Sequence, residues 1–447
     1  MKRITHLLVT LLLLGAVVFA TGAKENQTAS QPEANLPTVT GPVTITLWHT
    51  RGAGANGDQM AASVKEFNET NTLGITVQSV YQGDYAVTLA KTLQAIAAGT
   101  NPTMVILERA SGVPVLADEG LLFDMLPLAK RDGMDLDNFF PAFMNFCLHD
   151  GKLISLPFVR STPVLYYNKG MFDAAGITQP PKTIAQLEAD GKKLTKVVDG
   201  KTEVYGFEML NNPAWDIQNM TYQLGSNMLS DDGLSAPNIY DGTLLKVITA
   251  WRQWVDDGWC LAPVVTSPSS AMKEAFMQGK LASFSESTGS MINILSNAQK
   301  AGIDVQVVPL PTWDEKIPSS PVGGANLAIL AINTTDNQKA AAWEFMKFLM
   351  SDEQVAENSI NSGYLPVTKT AKNLTILQDH WAKYPQAKVA YDQLPYSQDL
   401  PWSPYLSEYK AHMAAVFSKL IQDRSITAEE AIAEIQAQAE QIFHQKE

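Results

Sequence analysis

Two hydrophobic patterns alternate along the first part of the chain. Residues 42–48 alternate apolar and polar side chains, which is typical of a strand with one buried face. Apolar side chains recur at helical spacing in residues 60–67, and the same two patterns follow in residues 75–80 and 87–98. A short apolar run at residues 104–107 indicates a buried strand. This β-α-β-α-β order predicts a parallel sheet covered by helices.

The regular rhythm ends after Gly151. Near the C-terminus, Thr427 is the predicted N-cap of a helix, and Glu430 stands three residues later as in a capping box. Open α/β sheets bind ligands outside the carboxyl ends of their strands, so two such regions facing each other would form a cleft for a small molecule. The predicted strands here are residues 153–158, 163–167, 281–284, 305–309 and 327–332, and the predicted helices are residues 184–194, 244–257, 269–279 and 339–350.

The length and the N-terminus indicate an exported protein with two domains. A chain of 447 residues is longer than a domain with a single hydrophobic core usually is, because chains divide into several domains above about 250–300 residues. Residues 1–23 are typical of a signal peptide, with Lys2 and Arg3 ahead of an apolar run that ends in small residues. An uncleaved membrane anchor is the alternative interpretation. Residues 24–42 are polar and proline-containing, which predicts a flexible leader.

Composition excludes several classes of function. The net charge of −13 disfavours nucleic acid as a partner, since phosphates need a basic surface. The two cysteines, Cys147 and Cys260, and the six histidines show no metal-ligand spacing, so we expect neither a metal nor another cofactor. P-loop, zinc-protease and nucleophile-elbow motifs are missing from the sequence. We therefore expect a binding protein, with a secreted hydrolase or a surface adhesin as the alternatives.

Five short motifs carry a resemblance to a known family: Trp48-His49-Thr50, Ser161-Thr162-Pro163-Val164-Leu165-Tyr166-Tyr167-Asn168-Lys169, Ser287-Thr288-Gly289-Ser290, Gly323-Gly324-Ala325 and Gly363-Tyr364-Leu365-Pro366-Val367-Thr368-Lys369. Over residues 43–440 the chain resembles the extracellular solute-binding proteins of ABC importers, in the maltose-binding-like group. It is most similar to the subgroup that binds sn-glycerol 3-phosphate and glycerophosphodiesters.

The resemblance implies an α/β, two-lobed periplasmic-binding-protein fold of type II. Each lobe would be a sheet flanked by helices, with a hinge and a cleft between the lobes. The N-terminal lobe would comprise residues 43–158 and 288–331, and the C-terminal lobe residues 159–287 and 332–440. It also implies a monomer without catalytic activity, whose partners are a small-molecule ligand and the permease subunits of a membrane importer.

The same resemblance supplies candidate ligand contacts. Tyr85, Ser161, Ser287, Gly324 and Tyr364 match polar contacts of the glycerol-phosphate subgroup, and Trp215 matches one of its two cleft tryptophans. The second tryptophan position is occupied by Asn212. The subgroup's hydroxyl-binding acidic residue falls at Glu108 or Arg109, and we favour Glu108.

One departure from the subgroup concerns charge. Its phosphate-facing arginine aligns near Ala411, between Lys410 and His412, so we expect Arg160 to supply the charge instead. The ligand would then be a glycerophosphodiester or glycerol 3-phosphate, with an oligosaccharide as the alternative.

The residue types fit these roles. Tyr85, Trp215 and Tyr364 carry flat apolar rings with polar tips that can pack on a sugar, a glycerol chain or a choline-like cation. Glu108 could accept hydroxyl hydrogen bonds, or be a solvated loop charge. Trp48 and Trp251 have no such support and are interpreted as structural.

Ser287 precedes a predicted helix whose first backbone N–H groups could hold an anion, although an ordinary N-cap is the simpler interpretation. The guanidinium of Arg160 suits phosphate, with a surface salt bridge as the alternative.

Overall fold

The computed structural model describes residues 36–313 and 319–444. The predicted signal peptide and most of the predicted leader lie outside these residues. No helix in these two ranges has the length and apolar character that crossing a bilayer requires. Cys147 and Cys260 are both buried and form no disulfide.

The strands follow the predicted pattern closely. The alternating segment predicted at residues 42–48 forms β1, and the apolar run at residues 104–107 forms β3. The predicted strands at residues 153–158 and 327–332 are each displaced by a few residues, to β6 and β13. The strands are β1 (Val43–His49), β2 (Ile75–Tyr81), β3 (Met104–Glu108), β4 (Leu148–His149), β5 (Lys152–Leu153), β6 (Leu156–Ser161), β7 (Pro163–Asn168), β8 (Lys196–Val198), β9 (Lys201–Val204), β10 (Ser283–Ser287), β11 (Val305–Pro309), β12 (Ser320–Pro321), β13 (Gly323–Ile329) and β14 (Ser397–Gln398).

Six of the α-helices in the described residues begin at a residue whose side chain caps them. Thr427 accepts a hydrogen bond from the N–H of Glu430 at 3.1 Å, and the Glu430 carboxylate accepts one from the N–H of Thr427 at 2.9 Å, so the predicted capping box is confirmed. The helices are α1 (Ala55–Thr70), α2 (Tyr85–Ala97), α3 (Val113–Ala117), α4 (Leu126–Arg131), α5 (Lys169–Ala174), α6 (Ile184–Leu194), α7 (Gln218–Gln223), α8 (Pro237–Tyr240), α9 (Thr243–Asp256), α10 (Pro268–Met277), α11 (Met291–Lys300), α12 (Asp336–Leu349), α13 (Asp352–Ser362), α14 (Thr375–Lys383), α15 (Val389–Asp392), α16 (Leu406–Gln422) and α17 (Ala428–Phe443), and a π-helical segment spans Pro213–Ile217.

Two sheets organise the fold. The first has five strands in the order β2-β1-β3-β13-β6, with β1 parallel to β2 and β3, and β13 antiparallel to β3 and β6. The parallel sheet predicted from the β-α-β-α-β order is therefore present, with one antiparallel strand inserted near its edge. The second sheet is antiparallel and has the order β10-β7-β11.

Sheet pairing differs from the predicted lobe boundaries at two segments. β11, which we assigned to the N-terminal lobe, pairs with β7 in the second sheet. α12 and α13, which we assigned to the C-terminal lobe, pack against β1 and α1 of the first sheet. Motif positions gave the predicted boundaries, whereas hydrogen bonding between distant strands determines the sheets. The division into lobes remains a prediction, and these pairings favour moving both segments.

Three of the five hydrophobic clusters in the described residues stabilise these layers. The first sheet contributes Val105 and Leu107 to one core, and the second sheet contributes Tyr166 and Phe284 to another. A third and larger core fills the space between α9, α16 and α17, where Trp251 lies fully buried. Burial of this apolar area holds the ends of the strands in fixed positions.

Candidate ligand cavity

The ends of several strands converge on one edge of the first sheet. β3 ends at Glu108 and β6 ends at Ser161, while β13, which runs the opposite way, begins at Gly323. The register pairs Gly323 with Ser161 and Ala325 with Glu108, so these ends lie side by side. β10 of the second sheet ends at Ser287 near the same place. A cavity of about 220 Å³ lies among these ends.

Seven of the eight predicted contacts line this one cavity: Tyr85, Glu108, Ser161, Trp215, Ser287, Gly324 and Tyr364. Arg160 is the exception. The remaining lining residues are Arg109, Leu210, Asn212, Glu286, Gly323, Leu400 and Lys410. Leu210, Glu286 and Leu400 carry no local sequence signal for a ligand site, because distant chain segments bring them to the cavity.

Arg160 lies in the protein interior rather than at the cavity. Its side chain is fully buried and its guanidinium donates to the backbone carbonyls of Phe143 and Ala325 at 2.9 and 2.8 Å and to Oδ1 of Asn326 at 2.5 Å. Burial lowers the pKa of Arg160 to about 10. Since adjacent residues of a strand point to opposite faces, Ser161 reaches the cavity and Arg160 faces the core. We therefore leave Arg160 out of the proposed ligand contacts.

The backbone N–H groups at Ser287 are already occupied. The N–H of Ser287 donates to Glu286 at 2.7 Å, that of Thr288 to the carbonyl of Thr162 at 3.1 Å, and that of Gly289 to the hydroxyl oxygen of Ser287 at 3.1 Å. These three groups are therefore not free to hold an anion. Ser287 acts as an ordinary cap, and its own O–H faces the cavity as a donor.

Glycine residues set the positions of the aromatic walls. A Cβ on Gly323 would lie 2.3 Å from the indole of Trp215, and a Cβ on Gly289 would lie 2.6 Å from the ring of Tyr364. Only glycine allows the rings to approach the backbone this closely. Gly324 has a φ of +113°, a conformation that other residues rarely adopt.

The buried side chain of Arg51 packs behind the cavity wall that Tyr85 and Tyr364 form. The guanidinium of Arg51 lies 5.3 Å from the ring centroid of Tyr364, within cation–π range. Its Nε donates to the backbone carbonyl of Asn56 at 2.9 Å, and it forms no ion pair with a carboxylate in the described residues. Burial lowers the pKa of Arg51 and raises that of Tyr85, so Tyr85 remains a hydroxyl donor.

Glu108 is a fixed acceptor in the cavity wall. One carboxylate oxygen accepts hydrogen bonds from the N–H groups of Ala110 at 3.1 Å and Ser111 at 2.5 Å, and from the hydroxyl of Ser111. Burial alone would raise the pKa of Glu108. The positive charges of Lys410 and Arg109, together with the bonds from Ser111, outweigh it and lower the pKa. Glu108 is therefore ionised at neutral pH.

Two of the other charges at the cavity, those of Arg109 and Glu286, are paired. Arg109 is buried and forms an ion pair with the buried Asp399 at 2.5 Å. Burial raises the pKa of Asp399 to about 6, although Arg109 opposes that rise. Glu286 accepts a hydrogen bond from Ser269 at 2.5 Å and lies 3.6 Å from the ammonium of Lys273. Within the described residues, no cluster of three metal-ligating side chains was found.

A converging set of strand ends with aromatic walls and fixed polar groups is the kind of site that binds a small polar molecule. The family comparison agrees, because residues 62–389 match the family described as bacterial extracellular solute-binding protein. The chain belongs to this family.

Named relatives and solved structures extend this result. The chain is 28% identical over 393 residues to the sn-glycerol-3-phosphate-binding periplasmic protein UgpB of Brucella abortus (strain 2308), covering 85% of this chain and 84% of the relative.

Among solved structures, it is similar to UgpB of Mycobacterium tuberculosis in complex with glycerophosphocholine, with a TM-score of 0.80, 24% identity and coverage of 90% and 98%. It is also similar to an ABC substrate-binding protein of Listeria monocytogenes in complex with cycloalternan, with a TM-score of 0.78, 20% identity and coverage of 90% and 98%.

These findings confirm the α/β periplasmic-binding-protein fold and the predicted class. The chain is an extracellular solute-binding protein of an ABC importer, which works with permease subunits and binds a small molecule. Members of this family are receptors rather than enzymes, so the prediction of no catalytic activity is confirmed.

Proposed function

We propose that the ligand is a glycerophosphodiester, such as glycerophosphocholine, with sn-glycerol 3-phosphate as the second member of the same class. The observation that carries this proposal is the charge balance of the cavity. The curated relatives named for glycerol 3-phosphate and the solved complex with glycerophosphocholine support the same class.

The charges that line the cavity nearly cancel. Arg109 is paired with Asp399, Glu286 is balanced by Lys273, and the charge of Lys410 acts on Glu108. Among the described residues around the cavity, two further cations remain: Arg51, which lies behind Tyr364, and Arg160, whose guanidinium is held in the core by backbone carbonyls and Asn326. Since Arg160 faces the core, the cavity wall together with Arg51 behind it carries about one net positive charge.

One positive charge suits a singly charged phosphate best. A phosphate monoester carries about −1.5 to −2 at neutral pH, since its second pKa is about 6, and part of that charge would stay uncompensated in a buried site. A phosphodiester carries one negative charge. If the ester also bears a choline-like cation, the Glu108 carboxylate offers that cation a negative charge. The rings of Trp215 and Tyr85 offer it aromatic faces.

A neutral oligosaccharide is the second candidate. The aromatic walls and the acceptor Glu108 also suit sugar rings and hydroxyls, and the solved structure with cycloalternan belongs to a protein of the same fold. A neutral ligand would leave Arg51 buried without a counter-charge, which is the reason we rank it second.

Calorimetric titration with glycerophosphocholine, glycerol 3-phosphate and maltose tests the proposal. We expect glycerophosphocholine to bind most tightly, and its binding to weaken as salt is added. The intact ligand should be recovered afterwards, because a receptor does not turn it over. Binding of maltose alone would overturn the phosphate proposal and support the second candidate.

We also propose that ligand binding closes two lobes around the cavity. β6 and β7 belong to different sheets, yet only Thr162 separates them, so a change in the angle between sheets would be absorbed there. We propose that the chain also crosses between the lobes at residues 284–288 and 330–333, which would complete the hinge. X-ray scattering should show a smaller radius of gyration with ligand, and an unchanged radius with a saturating ligand would contradict closure.

A further inference from the structure

Asp216 lies directly behind the wall of the ligand cavity. It follows Trp215 in the π-helical segment Pro213–Ile217, and only 1% of its surface is exposed. Trp215 lines the cavity, whereas the carboxyl group of Asp216 contacts β10 instead. A single turn of π-helix next to an α-helix is often found at functional sites. Asp216 is thus a buried polar group adjacent in the chain to a cavity-lining ring.

The carboxyl group of Asp216 joins three parts of the cavity wall. The hydroxyl of Ser285, which is also 1% exposed, donates to its Oδ1. The backbone N–H of Leu210 lies close enough to act as a donor to the same carboxyl group. Leu210, Trp215 and Glu286, the residue after Ser285, all line the cavity. Asp216 therefore connects three chain segments, each of which contributes a residue to the wall.

Packing does not fully enclose the ring of Trp215. The ring is in close contact with the backbone of Gly323, but 8% of the residue is exposed and it borders a cavity of about 220 Å³. A side chain beside open space has fewer packing contacts than one in a filled core. Hydrogen bonds of the neighbouring residue can fix the backbone from which such a ring extends. Asp216 supplies a bond of this kind.

The carboxyl group of Asp216 can fill this role without its negative charge. Burial raises the pKa of Asp216 to about 7; the hydrogen bond from Ser285 opposes this rise and the charge of Glu286 adds to it. A large share of the molecules therefore carries a neutral carboxyl group there at neutral pH. The amide of an asparagine has the same shape and also offers an acceptor oxygen. Asparagine should therefore be able to replace Asp216.

We propose that Asp216 is a positioning residue for ligand binding. By holding the hydroxyl of Ser285 and the backbone at Leu210, it fixes the π-helical segment and thereby the ring of Trp215 in the cavity wall. Asp216 acts through these residues and does not touch the ligand. The inference rests on the proposed ligand cavity, but it does not depend on whether the ligand is a phosphodiester or a sugar.

The indole ¹⁵N–¹H resonance of Trp215 reports the position of the ring without any ligand. Asp216→Ala removes the acceptor, so we expect this resonance to shift or broaden, whereas Asp216→Asn should keep it close to its wild-type position. Trp215→Phe identifies the resonance, because that is the signal it removes. An unchanged Trp215 resonance in a folded Asp216→Ala protein would overturn the proposal.

Calorimetry with glycerophosphocholine, glycerol 3-phosphate and maltose measures the effect on binding. For the probe that binds the wild type most tightly, Asp216→Ala should weaken binding by about tenfold and Asp216→Asn by about twofold at most. Asp231→Ala removes a carboxyl group from an exposed position and should bind normally. Equal losses in the alanine and asparagine variants of Asp216 would contradict the positioning role. If the wild type binds only maltose, the proposed phosphate ligand fails, and the same comparison still tests Asp216.

Ser285→Ala removes the same hydrogen bond from its other end, which covers the case that Asp216→Ala does not fold. We expect it to shift the same indole resonance and to weaken binding by about threefold. In an Asp216→Ala background it should have little further effect, because the bond is already lost. Full additivity of the two changes, or a wild-type resonance and affinity in Ser285→Ala, would show that this bond does not position Trp215.

Discussion

The contact between Gly323 and Trp215 allows a sharp test of the ligand cavity. Gly323 does not have a positive φ, so alanine fits the backbone there, but its Cβ would lie 2.3 Å from one indole carbon and 2.5 Å from another. Carbon atoms pack at about 3.5–4.0 Å, so the ring of Trp215 has to move by about 1 Å. We expect it to move into the open cavity, where a ligand would otherwise lie.

We expect the Gly323→Ala variant to bind its ligand more weakly while remaining folded. Losing an aromatic contact of this kind costs about 1–2 kcal/mol, which corresponds to a rise in Kd of about fivefold to about thirtyfold. The melting temperature should change little, because the displaced ring moves into space rather than into the core. Calorimetry with the tightest of the three candidate ligands measures the affinity, and a thermal melt checks the fold.

A double-mutant cycle identifies the cause. If the added methyl group acts through Trp215, then Gly323→Ala should have little further effect in a Trp215→Ala background. Gly170→Ala, at a glycine on α5 whose Cβ would meet only the Asn168 side chain at 3.3 Å, is the matched control and should bind normally. Unchanged affinity in Gly323→Ala, or an equal loss in both backgrounds, would refute this reasoning.

Three further predictions concern charge. Lys410→Met should weaken binding of a phosphodiester by about tenfold, as measured by calorimetry, and Lys410→Arg should keep most of the affinity. Equal affinity of the wild type and both variants would show that Lys410 does not contribute to ligand recognition. Arg160→Met should leave several buried acceptors unpaired and destabilise the protein by about 3–5 kcal/mol, as measured by denaturant unfolding. The folded fraction should bind its ligand with near-normal affinity. A loss of affinity without a loss of stability would show instead that Arg160 contacts the ligand. Burial raises the pKa of Glu208 from 4.5 to about 8, so the carboxyl group loses its proton at lower pH in the unfolded chain than in the folded protein. The stability of the protein should therefore fall as pH rises between those values. Glu208→Gln should reduce that fall in thermal melts, and a pH profile identical to that of the wild type would contradict the pKa shift.

Local sequence signals account for much of the secondary structure, whereas the resemblance to solute-binding proteins supplied the predicted cavity residues. The period-two pattern, the helical pattern and the short apolar run identify β1, α1 and β3, and the motifs place Ser161 and Ser287 at the ends of strands. Ends of neighbouring strands lie close together in any open α/β sheet, so short motifs far apart in the chain can predict one site.

Long-range pairing explains what the sequence does not predict. Arg160 looks like an anion ligand in its motif, but its role is decided by Asn326 and by backbone carbonyls that no local pattern reveals. The ion pair of Arg109 with Asp399, which neutralises the charge of Arg109, also joins distant segments. The assignment of β11 to the second sheet depends on hydrogen bonds to β7, and motif order carries no information about them.

The position of β13 has a consequence for how the protein is made. This strand lies between β3 and β6, so β6 has no partner in the first sheet until residue 329 of 447 has been synthesised. Pairings between such distant segments form slowly, because the intervening chain must first be brought together. The first sheet of a nascent chain therefore stays incomplete until most of the chain has been synthesised.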